Sequence, residues 1–364
     1  METALIFKSY SQNGLNLNNR MVMAPMTRSR SANAENVATE LTALYYKQRA
    51  SAGLIITEGT FISKEAVGVI NVPGIYNDQQ IKGWKLTTDA VHQEGGKIFA
   101  QLWHTGAYSH PELHDGKKPL APSAVNPQQQ VFTSKGFLPS ESPQPMTIED
   151  IKRTINDFKK AAINAFEAGF DGVELHGANG YLLQQFFSKN SNHRTDEYGG
   201  SIENRAKILF DILDELKLAV DIKKVAVRLN PSLNGIMGIL VDDETKAIYN
   251  YIVQRLNDYG LAYIHLIEPF TDVSEIPDAI QEVAKHFRKI FSGTIIINRG
   301  FNKETAEKVL QDGDADMVSF GVPFIANPDL VKRFKTDATL NQADQATFYT
   351  PGEKGYTDYP EIDN

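Results

Sequence analysis

Eight short apolar runs, most of them followed by a longer segment with helical spacing, constrain this chain more than any other feature. The runs are Met21–Pro25, Leu54–Thr60, Lys97–His104, Asp171–Gly177, Lys224–Pro231, Ala262–Pro269, Thr294–Phe301 and Ala315–Pro323. Most are β-branched and nearly continuous, as in Ile295-Ile296-Ile297 and Val225-Ala226-Val227. Strands buried on both faces read this way, because a parallel sheet has helices on one side and packed core on the other. Between the runs, Ile151, Ile155, Phe158, Ala162, Ala165 and Phe166 recur at helical spacing, with Thr147 as N-cap and Asp150 in an acidic first turn. Ile202, Ala206, Leu209, Ile212, Leu213 and Leu216 form a second stripe between Ser201 and Val220. Eight strands with interleaved helices is the count for an α/β fold of the (β/α)8 TIM-barrel type. An open doubly wound sheet is disfavoured, since no G-x-G-x-x-G follows the first strand.

A chain of 364 residues fits one such barrel with insertions, so residues 1–364 are expected to form a single domain. The stretch Thr105–Met146 (residues 105–146), between the third strand and its helix, carries seven prolines and cannot be one regular element. It reads as a capping excursion over the C-terminal mouth of the barrel, with a short hairpin around Val131–Phe137. At the start, Ile6-Phe7 and Leu15-Asn16-Leu17 flank Gln12-Asn13-Gly14, which predicts an N-terminal hairpin plugging the opposite end. The tail, residues 335–364, is polar and then aromatic, with Phe348, Tyr349, Tyr356 and Tyr359.

Composition removes whole classes of chemistry. With no cysteine, disulfides, thiolate metal sites, iron–sulfur clusters and a cysteine nucleophile are excluded. The 37 Lys+Arg against 45 Asp+Glu give −8, which leaves no large basic footprint, so nucleic acid is not an expected partner. Met1–Lys8 lacks a basic stretch followed by a long apolar core, and no apolar run reaches about 18 residues, so the chain is expected to be soluble, cytoplasmic and free of membranes.

Barrel enzymes place their chemistry at the C-terminal ends of the strands. Here those ends include Pro25-Met26-Thr27-Arg28, Glu58-Gly59-Thr60, Gln101-Leu102-Trp103-His104, His176-Gly177-Ala178-Asn179-Gly180-Tyr181, Arg228-Leu229-Asn230, Asn298-Arg299-Gly300 and Ser319-Phe320-Gly321. They hold donors, aromatic faces and a fixed cation, but no Ser-His-Asp set, no nucleophile elbow, no lysine placed for a Schiff base and no acidic cluster. His110 and His114 have helical ligand spacing without a third ligand, so no metal site is expected. Donors without a nucleophile of their own point to a bound organic cofactor.

Six segments, in order, carry a resemblance. They are Ala24–Arg28, Gln101–Gly106, Asp171–Tyr181, Arg194–Arg205, Pro323–Leu330 and Gly355–Pro360. In these the chain resembles the old yellow enzyme family of FMN-dependent ene-reductases, and is similar to its bacterial N-ethylmaleimide and nitroester reductase branch. The resemblance implies non-covalent FMN, NADPH or NADH as reductant, and ping-pong hydride transfer to activated C=C bonds of α,β-unsaturated carbonyls, imides or nitroalkenes. It makes His176 and Asn179 the donors to the substrate oxygen and Tyr181 the proton donor to Cα. It sets Arg228 and Gln101 against the flavin pyrimidine edge, Thr27 at a flavin carbonyl, and backbone of Pro25, Met26 and Gly59 around the ring. Trp103 walls the substrate side, and Tyr349 edges the pocket. Asn192, His193, Arg194, Asp196, Tyr198, Glu203 and Arg205 read as a polar brace, and His104 as structural.

The chain departs from the family pattern at four places. Val322 stands where an arginine grips the FMN phosphate, and Arg299-Gly300 where paired glycines are usual, so Arg299 is expected to supply the missing cation, helped by amides of Gly300, Phe301 and Gly321. Ala107 replaces an arginine after His-Thr-Gly. Val69 and Ile70 replace a pocket tyrosine, which predicts a more apolar pocket. Gly59 replaces alanine. The alternative is a catalytically weak or flavin-poor barrel that binds a small ligand or a partner. An aldolase- or isomerase-type barrel ranks last, lacking a lysine or carboxylate pair. A small-molecule substrate is the expected partner, with monomer and dimer both open.

Overall fold

In the computed structural model, which describes residues 3–362, eight parallel strands close into one barrel. Met1, Glu2, Asp363 and Asn364 of the expected domain lie outside the described residues. The strands are β1 (Met21–Met23), β2 (Leu54–Phe61), β3 (Ile98–Trp103), β4 (Gly172–Gly177), β5 (Val225–Leu229), β6 (Tyr263–Ile267), β7 (Ile295–Asn298) and β8 (Met317–Phe320). Each pairs with its sequence neighbours, and β8 pairs with β1 to close the ring. Every residue of β1 through β6 is buried, which is why these runs are continuous rather than alternating. In β2 the register slips between Ile56 and Gly59, so that Glu58 turns outward and its N–H donates to the Tyr46 hydroxyl at 2.8 Å.

Local signals explain the helices. Thr147 caps Ile148–Glu167: its Oγ1 accepts from the Asp150 N–H at 3.1 Å, and Asp150 Oδ2 accepts from the Thr147 N–H at 2.8 Å. Ser201 caps Ile202–Ala219, which buries Ala206, Leu209, Ile212, Leu213 and Leu216.

The N-terminal hairpin forms with a different first arm. Tyr10–Gln12 pairs with Leu15–Leu17, and Asn13 and Gly14 at φ 48° and 83° supply the two left-handed residues a tight hairpin turn requires. Ile6-Phe7 is not part of it: Leu5–Phe7 is a 3-10 turn whose Leu5 and Ile6 N–H groups donate to the Glu307 carboxylate. Tyr10, Leu15 and Leu17 join Val22, Leu54, Phe99, Tyr263 and Ile296 in one buried cluster inside that end of the barrel.

Residues 105–146 hold the hairpin Gln130–Thr133 with Gly136–Pro139 and a short parallel pairing of Leu120–Ala121 with Gln144–Pro145. Tyr108 of this segment meets Tyr181 edge-on, with 6.0 Å between ring centroids. Arg194 fastens it to the barrel by donating to the carbonyls of Pro122 and Met146, at 3.0 and 2.6 Å. Among the described residues no helix is long and apolar enough to cross a membrane.

Candidate active site

At the C-terminal ends of the strands lies a cavity of about 330 Å³, the size class of small-ligand sites. It gathers Pro25, Met26 and Thr27 after β1, Gly59 from β2, Gln101 and Trp103 from β3, and His176, Asn179 and Tyr181 from and after β4. Arg228 of β5, Gly321 and Val322 after β8, and Tyr349 of the tail are also brought here, so that of the set anticipated from sequence all but Arg299 and Gly300 line one cavity. A larger cleft of about 830 Å³ lies elsewhere, and its Arg153 is paired with Glu65 and Asp150.

The segment following β4 is held in place by two adjacent glutamines. Gln184 Oε1 accepts from the Gly180 N–H at 2.9 Å, while its Nε2 donates to the Asn230 carbonyl and the Tyr249 hydroxyl. Gln185 Nε2 donates to the carbonyls of Gly180 and Thr105. Asn179 sits at φ 57° and Gly180 at φ 79°, and a β-carbon on Gly180 would lie 2.3 Å from Met237 Cβ. That tight turn carries His176, Asn179 and Tyr181 to one cavity. The rings of His176 and Tyr181 meet edge-on at 5.0 Å, and Tyr181 meets Trp103 edge-on at 4.9 Å.

Electrostatics define what these groups can do. Burial, with Arg228 nearby, holds His176 well below the usual imidazole range, so it is neutral. Its Nδ1 is buried without a partner. Asn230 Nδ2 donates to Asn179 Oδ1 at 3.3 Å, which leaves the Asn179 amino group as its free donor. Burial raises the Tyr181 phenol, which therefore keeps its proton at neutral pH. Burial also lowers Arg228, against the pull of Glu174, and one of its terminal nitrogens donates to Asn298 Oδ1 at 2.9 Å. Arg228 Nε and Trp103 Nε1, on two residues that line the cavity, are buried without protein partners.

Several expectations are corrected by these contacts. Arg299 and Gly300 do not line the cavity. Arg299, at φ 95°, donates from Nε to the Pro269 carbonyl at 2.6 Å and from Nη2 to the Phe270 carbonyl, and stacks over the Phe270 ring, so it points to the loop after β6. Val69 and Ile70 are also absent from the lining; Ile70 faces the outer cleft. At Gly59, where alanine is usual in the family pattern, a β-carbon would lie 2.4 Å from Trp103 Cε3. His104 is buried and off the cavity, with Nδ1 accepting from the Gly106 N–H at 3.0 Å, as a structural residue would be.

Four lining residues were not assigned from sequence: Ala24, Asn298, Ile325 and Phe348. Phe348 carried a signal, an aromatic pair with Tyr349 in a polar tail. Gln184 and Gln185 carried another, two amides inside the apolar run Leu182–Phe187.

A profile of the NADH:flavin oxidoreductase / NADH oxidase family matches residues 6–341. The chain belongs to that family. Relatives within reach of this family assignment include 12-oxophytodienoate reductase 1 of Oryza sativa subsp. japonica, 42% identical over 355 residues that cover 96% of this chain and 91% of the relative. Another is 12-oxophytodienoate reductase 2 of Arabidopsis thaliana, 39% identical over 363 residues, covering 98% and 95%. Among solved structures, morphinone reductase in complex with tetrahydroNAD superposes with a TM-score of 0.92 at 42% identity, covering 99% of this chain and 98% of that one. The old yellow enzyme homologue from Zymomonas mobilis gives 0.93 at 40% identity, covering 98% and 99%. The protein is thus a flavin-dependent oxidoreductase of the old yellow enzyme type, with FMN as cofactor and a nicotinamide as reductant. The cavity fits that ring: amide, hydroxyl and guanidinium groups of Gln101, Thr27 and Arg228 border it, and two buried donors lack protein partners.

Proposed function

We propose that this family member reduces activated C=C bonds of α,β-unsaturated ketones, aldehydes, imides and nitroalkenes. The observation that carries the reading is the convergence of a neutral His176 ring, a free Asn179 amino group and a protonated Tyr181 on one cavity bordered by Arg228 and Gln101. The flavin, when bound, supplies hydride received from a nicotinamide to the substrate Cβ. His176 and Asn179 donate to the carbonyl or nitro oxygen, where negative charge develops as Cβ gains hydride. Tyr181 then delivers its proton to Cα and is reprotonated from solvent. Gln101, Thr27 and Arg228 hold the ring, with backbone of Pro25, Met26 and Gly59 beside it. Trp103, Phe348 and Tyr349 wall the side on which nicotinamide and substrate alternate. Gly321 and Val322 form the end of the cavity nearest β8, and their backbone N–H groups would hold the FMN phosphate in place of an arginine side chain.

The proposal extends to one domain over residues 1–364 and a cytoplasmic setting, both resting on the sequence reading. Anaerobic titration with NADH and with NADPH, followed by a panel of activated alkenes, tests it. Flavin absorbance should bleach with a nicotinamide and return on adding an enone. A folded, FMN-loaded sample that bleaches but is not reoxidised by any such alkene refutes the substrate class.

A further inference from the structure

Beneath the cavity the barrel interior is polar. Glu174, in the middle of β4, is fully buried and does not touch the cavity, yet it bridges the adjacent strand β3 to β6, two strands away on its other side. Its Oε1 accepts from Gln101 Nε2 at 2.8 Å, and its Oε2 pairs with His265 Nδ1 at 2.9 Å. His265 Nε2 in turn meets Ser319 Oγ at 2.8 Å. Burial keeps His265 below its ordinary range, while hydrogen bonds from His265 and Gln101 and the Arg228 cation hold the Glu174 carboxyl low against its own burial, so the set is an ionised carboxylate beside a neutral imidazole.

We propose that Glu174 is a positioning residue for the flavin: it dictates which end of the Gln101 amide faces the cavity and partly balances the Arg228 cation at the ring. The inference rests on the reading that this cavity holds the flavin ring. A carboxylate only accepts, so Gln101 must give it the NH2 and turn its carbonyl Oε1 toward the cavity. An amide beside an apolar neighbour could present either end. The pyrimidine half of an isoalloxazine carries one imide N–H between two carbonyls, and a fixed acceptor selects the N–H and repels the carbonyls. The same carboxylate opposes Arg228, whose Nε has no partner and whose terminal nitrogen holds only the neutral Asn298. With a neutral group at 174 the ring would feel a fuller positive charge, which favours its electron-rich reduced form.

The test compares holoenzymes of the wild type, E174Q and E174D. E174Q removes the charge and lets both amides turn. Its two-electron flavin equilibrium, measured against reference dyes, should shift about tenfold toward the reduced form, about 30 mV upward. Its FMN dissociation constant, read from flavin fluorescence on reconstitution, should rise about tenfold. E174D keeps the charge but draws the carboxylate back from Gln101, so affinity should fall with little change in the equilibrium. An unchanged equilibrium in folded, FMN-loaded E174Q overturns the proposal whatever happens to affinity, since mere packing would not move a potential. Should E174Q not fold, wild-type protein reconstituted with FMN labelled with 15N at the imide decides: a slowly exchanging imide proton supports a fixed acceptor, and fast exchange overturns it. Failure of the wild type itself to bind FMN would instead sink the underlying reading.

Discussion

Gly59 shows how much a missing side chain can decide. Trp103 is stacked on Phe61 at 4.9 Å, and a β-carbon on Gly59 would lie 2.4 and 2.7 Å from atoms of its ring. Gly59→Ala must tilt the indole, and about 1–3 kcal/mol of stability should be lost, with an altered KM for bulky enones. Thermal unfolding and steady-state kinetics check both. His176→Ala with Asn179→Ala should lower kcat/KM for carbonyl substrates by about 10²–10³ while the protein stays coloured, because the donors serve the oxygen and not the flavin. Tyr181→Phe should slow turnover of enones by about 10²-fold and leave reduction by the nicotinamide unchanged, which stopped-flow absorbance separates. Arg299 reverses its sequence expectation. With its guanidinium on the Pro269 and Phe270 carbonyls, Arg299→Ala should leave FMN retention within about twofold, as is usual for a partly exposed charge; strong loss of flavin would show that the side chain swings in. No pattern in the sequence gives the side-chain direction at a left-handed residue, so this placement could not be read from it.

Among elements, the tail is the part the strand-and-helix pattern left undescribed. Two buried arginines that follow β1 fasten it. Arg28 donates to the carbonyls of Phe348 and Gly355, and Arg30 to those of Thr347, Phe348, Gly352 and Lys354. Tyr356 stacks on Tyr45 at 4.0 Å, with the Arg28 and Arg30 guanidinium groups over its ring. This clamp sets Phe348 and Tyr349 as a cavity wall although Tyr349 itself is largely exposed. Arg30→Ala strands several carbonyls, so a loss of about 2–4 kcal/mol is expected, together with protease cleavage between Phe348 and Gly355. An intact tail in that variant would contradict the clamp. The barrel strands were readable because burial on both faces leaves a continuous apolar run. The tail was not, because it is held by donors to backbone carbonyls, and carbonyls are the same in every sequence.

For the molecule as a whole, buried histidines contribute to the response to mild acid. His104 is pushed down to about 3, chiefly by burial, and His176 and His265 are also lowered by burial. Unfolding lets each take a proton below about pH 6.5, so stability should fall as pH drops through that window, by up to about 1.4 kcal/mol per pH unit per histidine. Glu58 acts in the opposite sense. Burial pushes it up to about 7, so its contribution is present below about pH 4.5 and lost as pH rises through 7. The lowered histidines, which also include His114 and His286, outnumber the raised carboxyls Glu58, Asp157 and Glu268, and lowered carboxyls such as Asp171 and Glu174 lose stability below their ordinary range, so the unfolding temperature should decline from pH 6.5 to 4.5 and more steeply below. His104→Gln should remove about one proton from that dependence; an unchanged slope would show that His104 does not titrate as described.

Taken alone, the amino-acid order determined the eight-stranded barrel and two of its helices, because hydrophobic periodicity is a local property of a chain; the candidate set Thr27, Gln101, His176, Asn179, Tyr181 and Arg228 came from strand-end location together with the family resemblance. Tertiary structure alone decided that Glu174 lies under Gln101, that Arg299 turns to the loop after β6, that Phe348 walls the cavity and that Gly59 yields space to Trp103. Each of those joins residues tens to hundreds of positions apart, and the direction of a side chain at such a meeting is set by packing, not by sequence spacing.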